Sequence, residues 1–201
     1  MSSMTEAAAG PESKLYCVVL AAGTSSRFGS LKQLADFRGQ PLVARAMRLA
    51  EESFGQRCIL VVGHEWQQVA AACEPLTGFL VVNPDHRRGF GGSIAAGVSS
   101  VAKVASGVLL LLADQPLIDS HHLRRMTETW TANPDCIVAS EFDAVLGPPV
   151  IFPARLFDTL SALQGDRGAH QILQDEASRV IRLECPDAAF DIDEADDLGS
   201  I

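Results

Sequence analysis

The chain has 201 residues, 47% of them hydrophobic, which is enough to bury a core within one domain of ordinary size. Its formal net charge of -9 argues against general nucleic-acid or anionic-membrane binding, because both need a basic footprint. Five cysteines (Cys17, Cys58, Cys73, Cys136, Cys185) are scattered without C-x-x-C or zinc-like spacing, the pattern of reduced, mostly buried thiols in a cytoplasmic protein.

Residues 1–13 lack the basic start and long apolar core of a secretory signal and are expected to form a disordered lead-in to a single domain over 14–201. Leu15 to Ala21, Cys58 to Val62, Phe79 to Val82 and Val108 to Leu112 are unbroken apolar runs of the kind that become strands covered on both faces. The longest apolar run, Val108 to Ala113, is far too short to span a bilayer. Helix-like stretches lie between the strands. In Pro41 to Ser53, Leu42, Ala46, Leu49 and Ala50 share one side, and Pro41 takes the first helical position. Trp66 to Cys73 and Ser93 to Val104 read as the next two helices, and Ser120 to Thr131 as a fourth, capped by Ser120. Beyond Asn133-Pro134, Cys136 to Ala139, Val150 to Phe152 and Val180 to Glu184 read as strands, with Gly147-Pro148-Pro149 as a loop. Pro153 to Leu163 and His170 to Ala177 read as helices, and Trp66 and Trp130 as packing residues. This alternation predicts an α/β fold, doubly wound around a mostly parallel sheet, Rossmann-like in class.

In such sheets ligands gather at the carboxyl ends of the strands. There Leu20-Ala21-Ala22-Gly23-Thr24-Ser25-Ser26-Arg27-Phe28-Gly29-Ser30-Leu31-Lys32 follows the first strand with small and hydroxylated residues, then two cations, Arg27 and Lys32. Small residues let an anion reach successive backbone N–H groups. The spacing is neither that of a Walker A loop nor Gly-x-Gly-x-x-Gly, and the same composition also serves as a plain turn. Asp114, in Leu111-Leu112-Ala113-Asp114-Gln115-Pro116, stands where a strand opens into a loop, suited to a metal or to a helix cap. Asp191-Ile192-Asp193 offers two more carboxylates, the alternative being an acidic cap on a final helix. Gly89-Phe90-Gly91-Gly92-Ser93 is read as a loop before a helix that starts at Ile94, with Ser93 capping that helix or bonding a base edge. Arg87 and Arg88 could face the phosphates and His64 could reach the cleft, the plainer readings being solvated arginines and a structural histidine.

L-A-A-G-T-S-S-R-F-G-S-L-K-Q resembles the signature loop of the molybdenum cofactor cytidylyltransferase family, nucleotidyltransferases related to molybdopterin-guanine dinucleotide synthase. The likeness continues through V-V-G-H-E at 61–65, N-P-D at 83–85, G-F-G-G-S-I-A-A-G at 89–97 and L-L-A-D-Q-P at 111–116. It extends to G-P-P-V-I-F-P at 147–153, G-D-R-G-A at 165–169 and D-I-D-E-A-D-D-L at 191–198. The resemblance implies a nucleotide-binding half over about 14–118 and an acceptor-binding half over about 119–201. It implies transfer of a nucleoside monophosphate from an NTP to the phosphate of a molybdopterin-type acceptor, with release of pyrophosphate. Ala22, where the guanylyl branch has glycine, favours CTP. Arg27, Lys32 and Asp114 become the catalytic set, and Mg2+ is held by Asp114 and Asp193. Leu20, Ala21, Ala22, Gly23, Arg27, Lys32, Gly91, Gly92 and Ser93 are expected to bind the nucleotide, and Asp166 and Arg167 the acceptor. Glu194-Ala195-Asp196 replaces the family's usual Thr-Pro-Glu, and Gly92 stands where a second serine is common. A molybdoenzyme receiving the product is the implied protein partner. Alternatives are the same chemistry with GTP or another phosphorylated acceptor, or a non-catalytic carrier of molybdenum cofactor. A nicotinamide or flavin oxidoreductase would suit the α/β pattern but lacks its glycine fingerprint.

Overall fold

The computed structural model describes residues 14–23, 28–166 and 168–199. Nine strands and six α-helices follow in chain order: β1 (Leu15–Ala21), a two-residue hairpin of β2 (Asp36–Phe37) and β3 (Gln40–Pro41), α1 (Leu42–Phe54), β4 (Cys58–Val62), α2 (Trp66–Ala71), β5 (Phe79–Val82), α3 (Phe90–Val101), β6 (Gly107–Leu112), α4 (Ser120–Ala132), β7 (Ile137–Phe142), β8 (Val145–Pro153), α5 (Phe157–Ser161), α6 (His170–Asp175) and β9 (Val180–Glu184). Seven strands form one sheet in the order β5-β4-β1-β6-β8-β7-β9. All neighbours pair in parallel except those of β8, which runs against both β6 and β7. The expected doubly wound, mostly parallel sheet is therefore observed. One reversed strand is set into its second half.

Alternate residues of β1 explain why helices cover both faces. Cys17, Val19 and Ala21 join the core beneath α1, α2 and α4, whereas Val18, Leu20 and Ala22 join the core beneath α3, α5 and α6. On the second face α3 comes close to the sheet. A Cβ at Gly97 would lie 2.5 Å from Val18 Cγ1 and 2.9 Å from Val61 Cγ2, so that helix can approach β1 and β4 only with glycine there. On the first face Trp130 is fully buried, its ring packed across Gly107. Trp66, expected to pack, is instead 36% exposed, because α2 is short and turns only Val69 inward.

The starts of α1 and α3 and the cap of α4 differ from the sequence reading, each for a local cause, and α5 begins at Phe157 because β8 runs on to Pro153 and a 3-10 turn follows it. Pro41 has extended backbone and pairs with Asp36, so α1 begins at Leu42. Asp119 rather than Ser120 caps α4, its Oδ1 accepting the His122 N–H at 2.8 Å. Helix α3 begins at Phe90, four residues before Ile94, and therefore takes in Gly91 and Gly92. The last expected loop is also a strand: β8 runs from Val145 through Gly147-Pro148-Pro149 to Pro153.

Cys17, Cys58 and Cys185 are buried and Cys73 and Cys136 partly so, and burial pushes Cys58 and Cys73 up to about 12. Among the described residues no helix is long and apolar enough to cross a membrane.

His122 makes the packing of α4 on β7 and β8 sensitive to acid. Its Nε2 donates to Ser140 Oγ at 2.8 Å, and that hydroxyl donates to Pro149 O at 2.7 Å. Burial first, then the Arg125 charge, holds the imidazole below its ordinary value. The unfolded chain thus binds more protons than the native one as pH drops below about 6.5, so the native state loses stability there. We expect the melting temperature to fall between pH 7.5 and 5.5, and to fall less in His122→Gln. Equal slopes in thermal melts of the two proteins would remove His122 as the cause.

Candidate active site

β1 and β6 lie side by side in register, Leu20 opposite Leu112, so the loop after one strand and Asp114 after the other open at the same carboxyl edge. Ala113 N–H donates to Leu20 O at 3.2 Å and holds the two exits together. The loop returns through a 3-10 turn, Lys32–Leu34. There the buried Gln33 donates from Nε2 to Gly23 O at 2.7 Å and ties the far end of the loop to its beginning. Gln33 closes the signature motif quoted from the sequence, but was not singled out as a site residue.

Lys32 then projects its ammonium between two carboxylates. Nζ lies 2.7 Å from Asp114 Oδ2 and 3.0 Å from Asp193 Oδ1. Burial alone would lower its pKa, but the Asp114 charge and hydrogen bonds to both carboxylates raise it, so Lys32 stays charged. Asp114, mid-chain, and Asp193, far along the sequence, meet through the backbone, where Ile192 N–H donates to Asp114 O at 3.0 Å. Ile192 is buried against Phe37 and Leu42, as its position between two carboxylates predicts. Asp197 finishes the turn: its Oδ2 accepts the N–H groups of Asp193 and Glu194, each at 2.8 Å. Asp193 thus faces Lys32, and the end of the chain is braced by Asp197. Burial, followed by the charges of Asp193 and Asp114, raises the pKa of neighbouring Asp191.

Gln115, next to Asp114, was not singled out as a site residue. Its buried amide nitrogen donates to Pro148 O at 3.2 Å and to Ala188 O at 2.9 Å. It thereby clamps the β6 exit to β8 and to the turn leading into Asp191 and Asp193.

These groups line a cleft of about 350 Å³. Leu20, Ala21, Ala22 and Gly23 form one wall, and Lys32, Asp114 and Asp193 form its charged end. Ser93 and Asp166 also line it, as do Phe28, His86, Arg87, Gly89 and Phe90. The structure therefore brings together most of the residues singled out in the sequence. Arg27 and Arg167 lie outside the described residues.

Gly91 and Gly92 are not on the cleft wall, because both lie in the first turn of α3. Gly91 N–H is spent on Gly165 O at 2.9 Å, a contact between the two halves that no local pattern announces. The glycine that the chain path requires is Gly89, with φ at 107° and the Gly165 carbonyl carbon 2.2 Å from where a Cβ would sit. Ser93 makes no capping bond; its Oγ accepts from Asn83 Nδ2 at 3.1 Å.

Among the described residues no group of three or more His, Cys, Asp or Glu side chains is assembled for a metal. Two carboxylates, Asp114 and Asp193, face one another across Lys32, and Asp114 Oδ1 is buried without a hydrogen-bond partner.

A family model described as MobA-like NTP transferase domain matches residues 17–180. Purine catabolism protein PucB of Bacillus subtilis is 29% identical over 168 residues, 80% of each chain. Nicotine blue oxidoreductase of Paenarthrobacter nicotinovorans is 28% identical over 179 residues, 85% of this chain and 86% of that one. Among solved structures, Rv0371c from Mycobacterium tuberculosis superposes with a TM-score of 0.77 at 26% identity, covering 93% of this chain and 97% of that one.

Proposed function

This chain belongs to the MobA-like NTP transferase family and is a nucleotidyltransferase, and we propose that it transfers a cytidylyl group from CTP to the phosphate of a molybdopterin-type acceptor. The observation that carries this reading is the Lys32 ammonium held between Asp114 and Asp193 at the strand exits. A permanently charged amine beside a loop of small residues suits the phosphates of a nucleotide. Ala22, on the cleft wall, supports CTP through the resemblance of its loop to the cytidylyl branch.

Magnesium fits the donor set. Carboxylate oxygens are hard ligands, and the buried, unpartnered Asp114 Oδ1 is an acceptor in need of a cation or a donor. Asp114 and Asp193 would hold the ion, which when bound neutralises charge on the triphosphate. The remaining work falls to the chain. In the reaction an oxygen of the acceptor phosphate bonds to the α-phosphorus of CTP. The bond from that phosphorus to the β-phosphate oxygen breaks, and pyrophosphate departs with the electron pair. The acceptor oxygen is already ionised, so no side chain needs to remove a proton. Lys32 contributes charge, and Gln33 keeps the loop closed on its own base. Asp166, and by resemblance Arg167, belong to the acceptor side.

The test is pyrophosphate release from CTP, GTP, ATP and UTP, each with Mg2+, with and without molybdenum cofactor. Release that requires CTP and the cofactor together is expected. Release from GTP would move the assignment to the guanylyl branch. Cofactor binding without release from any nucleotide would replace transfer with carriage.

A further inference from the structure

Asp114 and Gln115 are consecutive residues at the exit of β6, and both grip the same distant segment. Gln115 Nε2 donates to Ala188 O at 2.9 Å, and Asp114 O accepts from Ile192 N–H at 3.0 Å. The two grips, at Ala188 and Ile192, bracket one short strap, and Asp193 is the next residue along it. Gln115 holds a third element as well, since Nε2 also donates to Pro148 O at 3.2 Å. The β6–β8 ladder ends where Leu110 faces Val150, so this bond renews the link between the two strands beyond their last pair.

The chemistry of the amide suits it to this place. Both partners are carbonyl oxygens, which only accept, so the nitrogen of the amide must face them rather than its oxygen. A carboxylate of the same shape would turn negative charge on those two oxygens, and an apolar side chain would leave both without a donor. Gln115 is buried, so water does not stand ready to replace the bonds. Its own Oε1 is also buried and has no hydrogen-bond partner, an unmet acceptor that packing alone would not call for. Gln115 is not among the groups that line the cleft, so its effect on the site passes through Asp114 and Asp193.

We propose that Gln115 is a positioning residue that sets the separation of the Asp114 and Asp193 carboxylates, and through it the affinity of the pair for a divalent cation. The inference rests on the nucleotidyl-transfer reading and deepens it by naming what holds the charged end of the cleft at one spacing. Lys32 reports that spacing, because its ammonium meets one oxygen of each carboxylate, at 2.7 and 3.0 Å. Without the Gln115 bonds the strap keeps its contact at Ile192 but can pivot about it, which moves Asp193 relative to Asp114.

The test compares wild type with Gln115→Met, which keeps the length and bulk of the side chain but has no donor. Mn2+ alone is titrated into each protein without nucleotide, and the free metal is read by electron paramagnetic resonance. Gln115→Met should bind Mn2+ about tenfold more weakly, the lower end of what losing such a support costs a metal site. In pyrophosphate release from CTP with molybdenum cofactor, half-saturating Mg2+ should rise by the same factor. KM for CTP at saturating Mg2+ should stay within about twofold of wild type, since the groups that line the cleft are unchanged. Leu160→Ala, which opens a cavity under α5, controls for lost stability and should leave Mn2+ affinity at the wild-type value. Should Gln115→Met fail to fold, Gln115→Asn makes the same comparison, its amide one methylene short of the two carbonyls. Unchanged Mn2+ affinity in the folded variant, or an equal loss in Leu160→Ala, overturns the assignment and leaves nucleotidyl transfer intact. No Mn2+ binding by wild type overturns it together with the metal site. No pyrophosphate from any nucleotide overturns transfer, and the Mn2+ comparison still decides the role of Gln115.

Discussion

Lys32→Ala and Asp114→Ala are each expected to lower pyrophosphate release by about 10²–10³-fold, the usual cost of removing one preorganised charge from a transfer site. The fold should survive both changes. Lys32 is a partly exposed side chain on a short turn, and the Asp193 carboxylate it meets is 52% exposed. Without the ammonium, Asp114 and Asp193 face one another with the repulsion screened by water. The expected result is a melting temperature close to wild type alongside a large fall in kcat. Circular dichroism melts and single-turnover assays on the purified variants check it. Wild-type turnover in either folded variant would sink the assignment of the charged end of the cleft.

Gly89→Ala is expected to have the second largest effect, by a different route. At φ 107° an alanine is strained, and its Cβ would collide with the Gly165 carbonyl and the Asp166 nitrogen. Either the 3-10 turn carrying His86 or the Gly165–Asp166 turn must move. A loss of about 2 kcal/mol, or roughly 4–8 °C in melting temperature, follows for a chain of this size. Because the two turns carry cleft residues from both halves, KM for the nucleotide and KM for the acceptor should rise together. A variant with wild-type stability and unchanged KM values would show that this contact is not needed to hold the two halves of the cleft.

The parallel strands were legible as unbroken apolar runs, and β1, β4 and β5 have the bounds read from them, but β5 is the sheet edge and leaves Phe79, Leu80 and Val82 exposed instead of covered on both faces. What the sequence hid depends on partners far along the chain. Helix α3 extends back over Gly91 because Gly165 supplies an acceptor there. β8 continues through two prolines that would ordinarily mark a loop. The charged end of the site was visible as Lys32, Asp114 and Asp193, since acids and cations at strand exits have few other uses. The roles of Gln33 and Gln115 were not, although both stand in the quoted motifs, because each acts through carbonyls that only the folded chain assembles.

The reversed strand β8 separates the molecule into a conservative part and an adjustable one. β1, β4, β5 and β6 are joined in parallel by helical crossovers, so a length change in any of them would shift the edge that carries the cleft. β7 and β8 are joined instead by a two-residue turn, Asp143-Ala144, with φ at 47° and 62°. That hairpin tip projects at the same carboxyl edge, beyond Asp114, where Val145 is exposed. Extra residues can be accommodated at such a tip without altering the register of the parallel strands. A lineage could therefore lengthen or trim that hairpin to fit acceptors of different size while keeping one nucleotide donor throughout.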